Sequence, residues 1–128
     1  RQWTKEDGVR MGDKAVDPDV LYRDGPSTDS TGSPQASSGE AKWVMYFSTL
    51  EGAGNKFYKA TSSDGLKWEK GEIVLRPDSE QGSIVDPDVV EISTGKWRMF
   101  FGEMAEGEGQ MGGPAEINLF YADYSGYI

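Results

Sequence analysis

The chain has 128 residues with 22 acidic against 13 basic side chains, a formal net charge of −9, and a hydrophobic share of only 36% of which aromatic residues supply a third. That negative field repels a phosphate backbone or an anionic bilayer, so nucleic acid and membrane partners are disfavoured. Cysteine and histidine are both absent, which excludes disulfide staples, thiol nucleophiles, histidine triads and the usual zinc sites and leaves acid–base chemistry to Asp, Glu, Tyr or Lys.

From the N-terminus, residues 1–20 carry neither the basic start nor the apolar stretch of a secretion signal. A cysteine-free chain suits reducing and oxidising compartments alike, so the location stays open. Gln2-Trp3-Thr4-Lys5, followed by Gly8-Val9, matches a later segment, Lys67-Trp68-Glu69-Lys70 followed by Gly71 and Ile73-Val74. An outer strand is therefore expected at 1–10. Val16-Asp17-Pro18-Asp19-Val20 comes next and recurs as Val85-Asp86-Pro87-Asp88-Val89. Residues 24–40 are rich in Ser, Thr, Gly and Pro, the composition of a flexible insertion.

The run from Lys42 to Phe47 recurs from Lys96 to Phe101, and Asn55-Lys56-Phe57-Tyr58 matches Asn118-Leu119-Phe120-Tyr121. All these runs are short, aromatic and β-branched, which predicts strands, and no stretch shows a helical stripe. Between two of them, Ser62-Ser63-Asp64-Gly65 carries the Asp-Gly signal of a hairpin, after which Trp68 opens a fourth strand. The expected architecture is all-β: two four-stranded antiparallel β-propeller blades, permuted with an outer strand first, as repeats 1–66 and 67–128. Two blades cannot close a ring, so the chain is expected to close it as a homo-oligomer, a dimer or a trimer, or to be part of a larger propeller.

In such blades the loops alternate between two faces, and one face collects Asp17 and Asp86 at the entries of the central strands, with Glu51, Glu103 and Glu106. Glycoside hydrolysis needs one protonated carboxyl and one ionised carboxylate roughly 5 to 9.5 Å apart, and crowding of like charges keeps one of a pair protonated. Asp17, Asp86 and Glu103 are the catalytic candidates, with Asp19, Asp88, Glu51 and Glu106 as substrate-binding candidates. The same Asp-Pro pairs also serve as ordinary turn and strand-entry residues, and repetition in both units favours that architectural role. No loop carries the ligand spacing of a dedicated calcium site, and the Gly107–Gly113 stretch lacks the helix and lysine of a phosphate loop; no metal or cofactor is expected. Trp43, Trp97, Phe57 and Phe120 are expected to pack between blades.

Taken together, Val-Asp-Pro-Asp-Val, Lys-Trp-Arg-Met-Phe-Phe and Ala-Thr-Ser-Ser-Asp-Gly-Leu-Lys-Trp resemble the five-bladed propeller glycosidases, the clan of arabinanases, β-xylosidases, invertase-like hydrolases and mannoside phosphorylases. The resemblance implies that Asp17 and Asp86 occupy positions used there by a general base or nucleophile and by an orienting carboxylate. The clan's acid is a Glu in another blade, and Glu103 is a candidate by topology alone. The Ser-Asp-Gly hairpin also looks like the Asp-box of sialidase-type propellers, although Asp64 and Gly65 are adjacent where that motif has an intervening residue. The implied function is carbohydrate binding on the central acidic face, with hydrolysis only in a closed assembly. The alternatives are a non-catalytic, lectin-like oligomer with sugar pockets between blades, and an inactive fragment or scaffold. A catalyst needs one unique acid–base pair, whereas a lectin repeats its pocket.

Overall fold

The computed structural model describes residues 2–12, 14–23, 43–49, 54–80, 82–104, 116–126 and 128. The insertion expected at 24–40, together with Glu51, Glu106 and the Gly107–Gly113 stretch, lies outside the described residues. The fold is all-β. Among the described residues, seven strands run in chain order: β1 Ala15–Tyr22, β2 Trp43–Thr49, β3 Phe57–Ser62, β4 Glu69–Leu75, β5 Ser83–Ser93, β6 Lys96–Met104 and β7 Ile117–Ser125. Strands β1-β2-β3-β4 form one antiparallel sheet and β5-β6-β7 a second.

This corrects the expectation of two four-stranded sheets with an outer strand at 1–10. Among the described residues the second sheet has three strands, residues 2–10 join no ladder, and β4 completes the first sheet. A strand requires a partner edge, and Met11, which follows the N-terminal segment, is anchored against Met45 and Phe47 on the first sheet's far face. Trp3 is left fully exposed.

Within each sheet the ladders explain the repeat. Val16 and Val85 pair with Ser48 and Gly102; the next pairs are Asp19 with Tyr46 and Asp88 with Phe100. In both sheets a bulge carrying Asp-Pro intervenes. The third-strand match is displaced by one residue: Tyr58 lies opposite Phe47, whereas Phe120, not Tyr121, lies opposite Phe101.

The sheets stack face to face. Val44, Tyr46 and Val89 form one buried cluster between them with Leu21, Trp97 and Met99, while Phe57, Ile84 and Phe101 form another. Phe57 meets Phe101 edge-on at 5.8 Å, the favoured aromatic geometry. A third cluster, Met45, Phe47 and Ala60 with Tyr58 and Trp68, lies on the other face of the first sheet. Strand β2 is thus buried on both faces, which is why Trp43–Phe47 reads as an unbroken apolar run rather than an alternation. Of the four aromatic residues expected between sheets, Trp97 and Phe57 are there. Trp43 instead packs on Tyr22 at 4.7 Å and beneath Gly65, and Phe120 stacks on Phe101 while remaining half-exposed.

Candidate functional site

At both bulges the Asp before proline takes a left-handed backbone, φ 51° for Asp17 and 55° for Asp86. Asp tolerates that region better than most residues, because its short polar side chain can bond locally. The following proline also restricts the backbone of the residue before it. Two such outliers at matched positions mark a conformation held in place by its surroundings.

Their surroundings differ. The Ser48 hydroxyl, wholly buried, donates to Asp17 Oδ2 at 3.1 Å. Gly102 stands where Ser48 stands, and a Cβ there would meet Ile117 Cγ2 at 2.7 Å and Val85 Cγ2 at 3.3 Å. No equivalent hydroxyl fits beside Asp86 without displacing those side chains. Asp86 and Asp88 instead open with Phe100, Gly102, Ile117 and Leu119 onto a groove of about 450 Å³ on the outer face of the second sheet.

Asp19 reaches the other way. Its Oδ2 accepts the backbone N–H of Val89 at 2.7 Å, tying β1 to β5. Burial pushes its carboxyl above the usual range, with the charge of Asp88 adding to the effect and the Val89 bond opposing it. Glu103 Oε1 accepts the Asp78 amide at 3.0 Å and so ties the end of β6 to the loop before β5. Among the described residues, no group of three or more Asp, Glu, His or Cys side chains could hold a metal ion.

A further site escaped the sequence reading. Between β4 and the second sheet lies a cavity of about 410 Å³ whose lining includes Tyr46, Lys59, Glu72, Trp97, Asp123 and Tyr124. Among the described residues, β4 has no strand opposite it in the three-stranded sheet, which leaves this space open. Burial, and then the neighbouring Tyr124, push the Tyr46 phenol up to about 12; burial, and then the positive charge of Arg23, push the Lys59 ammonium down. A mismatch in strand number leaves no local sequence signal; only the whole topology reveals it.

No protein-family model, curated protein or solved structure matches this chain. The roles of these carboxylates therefore rest on their geometry.

The hairpin signal has a direct structural cause. Asp64 Oδ1 accepts the amides of Leu66 and Lys67 at 2.8 and 2.9 Å, while Ser62 Oγ accepts that of Gly65 at 2.9 Å. Gly65 has φ 74° and lies over the Trp43 ring, where a Cβ would sit 3.2 Å from the ring. This is local turn chemistry of the Asx and Ser type, and Asp64 takes part in it through Oδ1. Thr94-Gly95, closing the β5–β6 hairpin with Gly95 at φ 68° and its amide donating to Glu91 at 3.0 Å, is a turn that its Ser-Thr-Gly-Lys sequence could have announced.

Proposed function

We propose that the two sheets are blades of a glycosidase-like β-propeller and that the chain binds a neutral carbohydrate on the face carrying the Asp-Pro bulges, with hydrolysis only in a closed homo-oligomeric assembly. The observation that carries this is the inequality of two otherwise matched residues: Asp17 is held by the buried Ser48 hydroxyl, and Asp86 is not. A repeated architectural device needs no such difference, whereas a catalyst needs one distinct carboxylate. In this reading Asp17 is the base or nucleophile and Asp86 orients. Glu103, released from the Asp78 amide, is the acid.

A lectin-like reading is favoured by the cavity between the sheets, because Trp97, Tyr46 and Tyr124 beside Glu72, Asp123 and Lys59 combine the apolar walls and few polar groups of a ligand site. Titration with a panel of neutral oligosaccharides, followed by turnover of aryl glycosides, tests both. Asp17→Asn is expected to abolish turnover and keep binding, whereas Tyr124→Ala is expected to weaken binding only if sugar sits between the sheets. A folded wild-type chain that binds no saccharide would end both readings.

A further inference from the structure

The interface between the two sheets has a second, uncovered edition on the outside of the molecule. Ladder partners give the correspondence: Asp19 opposite Tyr46 matches Asp88 opposite Phe100, Val20 opposite Met45 matches Val89 opposite Met99, and Leu21 opposite Val44 matches Val90 opposite Arg98. Phe57, one residue before Tyr58, matches Leu119, one residue before Phe120. Tyr46, Leu21 and Phe57 are covered by the second sheet. Their matches Phe100, Val90 and Leu119 face outward, and the contrast is greatest between Phe57 at 0% exposure and Leu119 at 76%. Ile117, Tyr121 and Ile92 extend this outer apolar face.

The complementary surface is present on the same chain. Val89, buried at 5% against Val44 and Tyr46, matches Val20, which is 44% exposed on the far face of the first sheet. There a groove of about 520 Å³, lined by residues including Val20, Trp43, Met45, Met11 and Trp68, occupies the position that, on the second sheet, receives the first. The polar link has its counterpart too. Asp19 accepts the N–H of Val89, while Asp88 stands exposed at the matching place.

We infer that a second copy of this chain docks its first sheet on the second sheet of its neighbour, seating Val20 and Trp43, at the groove over Met45, against Phe100, Val90 and Leu119, with the Asp88 carboxylate at the seam beside Val20 of the partner copy. This continues the interface already formed within the chain. It rests on the blade reading above but not on any sugar. The contact is heterologous, since each copy offers two different faces, and copies add until rotation closes a ring. Exposed apolar sheet faces of this kind mark interaction surfaces.

Solution mass by light scattering across a concentration series reads this directly. The wild-type chain is expected at a whole multiple of its 14.1 kDa mass, and a monomer up to the solubility limit would overturn the inference. Leu119→Asp and Val20→Asp, both at exposed positions, are each expected to give folded monomers by circular dichroism. Mixed in equal amounts, they retain one intact copy of each face and are expected to form a capped dimer of twice the chain mass and nothing larger. Failure of the mixture to associate, or full assembly by either variant alone, would overturn a heterologous contact. Asp88→Arg, at an exposed side chain, gives a second route to the monomer should Leu119→Asp fail to fold. The readout is mass alone, so failure here is separate from failure to bind sugar.

Discussion

The carboxylate of Asp19 accepts the backbone N–H of Val89 across 2.7 Å and so pins the first strand of one sheet to the first strand of the next. A buried amide left without an acceptor costs about 1 to 3 kcal/mol, so Asp19→Ala is expected to destabilise the chain by that amount in urea unfolding. Asp19→Asn keeps an acceptor and removes the buried charge beside Asp88, and is expected to leave stability unchanged or raise it at neutral pH. The pH dependence has a definite sign. Because the folded carboxyl lies above its usual value, its contribution is complete below the unfolded pKa of about 3.9 and is lost as pH rises through the raised folded value. The stability of Asp19→Asn relative to wild type should therefore climb across that window and level off above it. A flat difference would remove the assignment.

Phe57 and Trp3 are both aromatic, yet one is wholly buried between the sheets and the other wholly exposed. Phe57→Ala is expected to cost about 3 to 5 kcal/mol through lost transfer energy and the cavity left behind. Trp3→Ala should stay within about 0.5 kcal/mol, as surface changes do. Comparable losses in chemical denaturation would contradict the placement of the N-terminal segment outside both sheets.

Gly54 combines a left-handed backbone, φ 86°, with a backbone neighbour: a Cβ there would lie 2.7 Å from the Glu80 carbonyl oxygen. The amide of Ile84 donates to the carbonyl of the adjacent Asn55, so this turn links the two sheets. Gly54→Ala must strain the backbone and displace a carbonyl that cannot swing away, at a cost of about 1 to 3 kcal/mol. A thermal melt as high as that of wild type would show that the turn yields more easily than its geometry implies.

How far these relationships could be read in the sequence depended on whether they are local. The Asp-Pro bulges announced themselves because a left-handed residue entering a strand admits few residue types, and both sheets use the same ones. The third-strand repeat misled by one residue because Phe57-Tyr58 and Phe120-Tyr121 look alike, while the ladders set Tyr58 and Phe120 in equivalent places; a one-residue slip exchanges the two faces of a strand. Trp3 and Lys5 copy Trp68 and Lys70, but a strand also needs an edge, and sequence likeness supplies none. The asymmetry at the two Asp-Pro sites lay in plain view as Ser48 against Gly102, yet only the ladder register makes those residues counterparts.

Acid should loosen the Asp64 hairpin. Amides of Lys67 and Leu66 hold this carboxyl below its usual range, so its contribution is complete above the unfolded value of about 3.9 and is lost as pH falls through the lower folded value. The protection of the Leu66 and Lys67 amides, their exchange relative to an unstructured chain at the same pH, is expected to fall in that acidic window and to be already lost in Asp64→Ala at neutral pH. Unchanged protection in the variant would show that the turn is held by Ser62 and Gly65 without it.

Alkali should act through Tyr46, whose phenol is pushed up to about 12 by burial and by the neighbouring Tyr124. A raised folded value means that the neutral phenol favours the folded chain at every pH below the unfolded value of about 10, and that this contribution disappears as pH rises through the folded value. Other tyrosines and lysines titrate in the same range, so the informative quantity is the difference between wild type and Tyr46→Phe, which keeps the ring between the sheets and removes the proton. In urea unfolding the wild-type curve is expected to fall more steeply than that of the variant between about pH 10 and 12, the two running parallel below. Parallel curves throughout would mean that the phenol is solvated and that the cavity between the sheets is already filled with water around it.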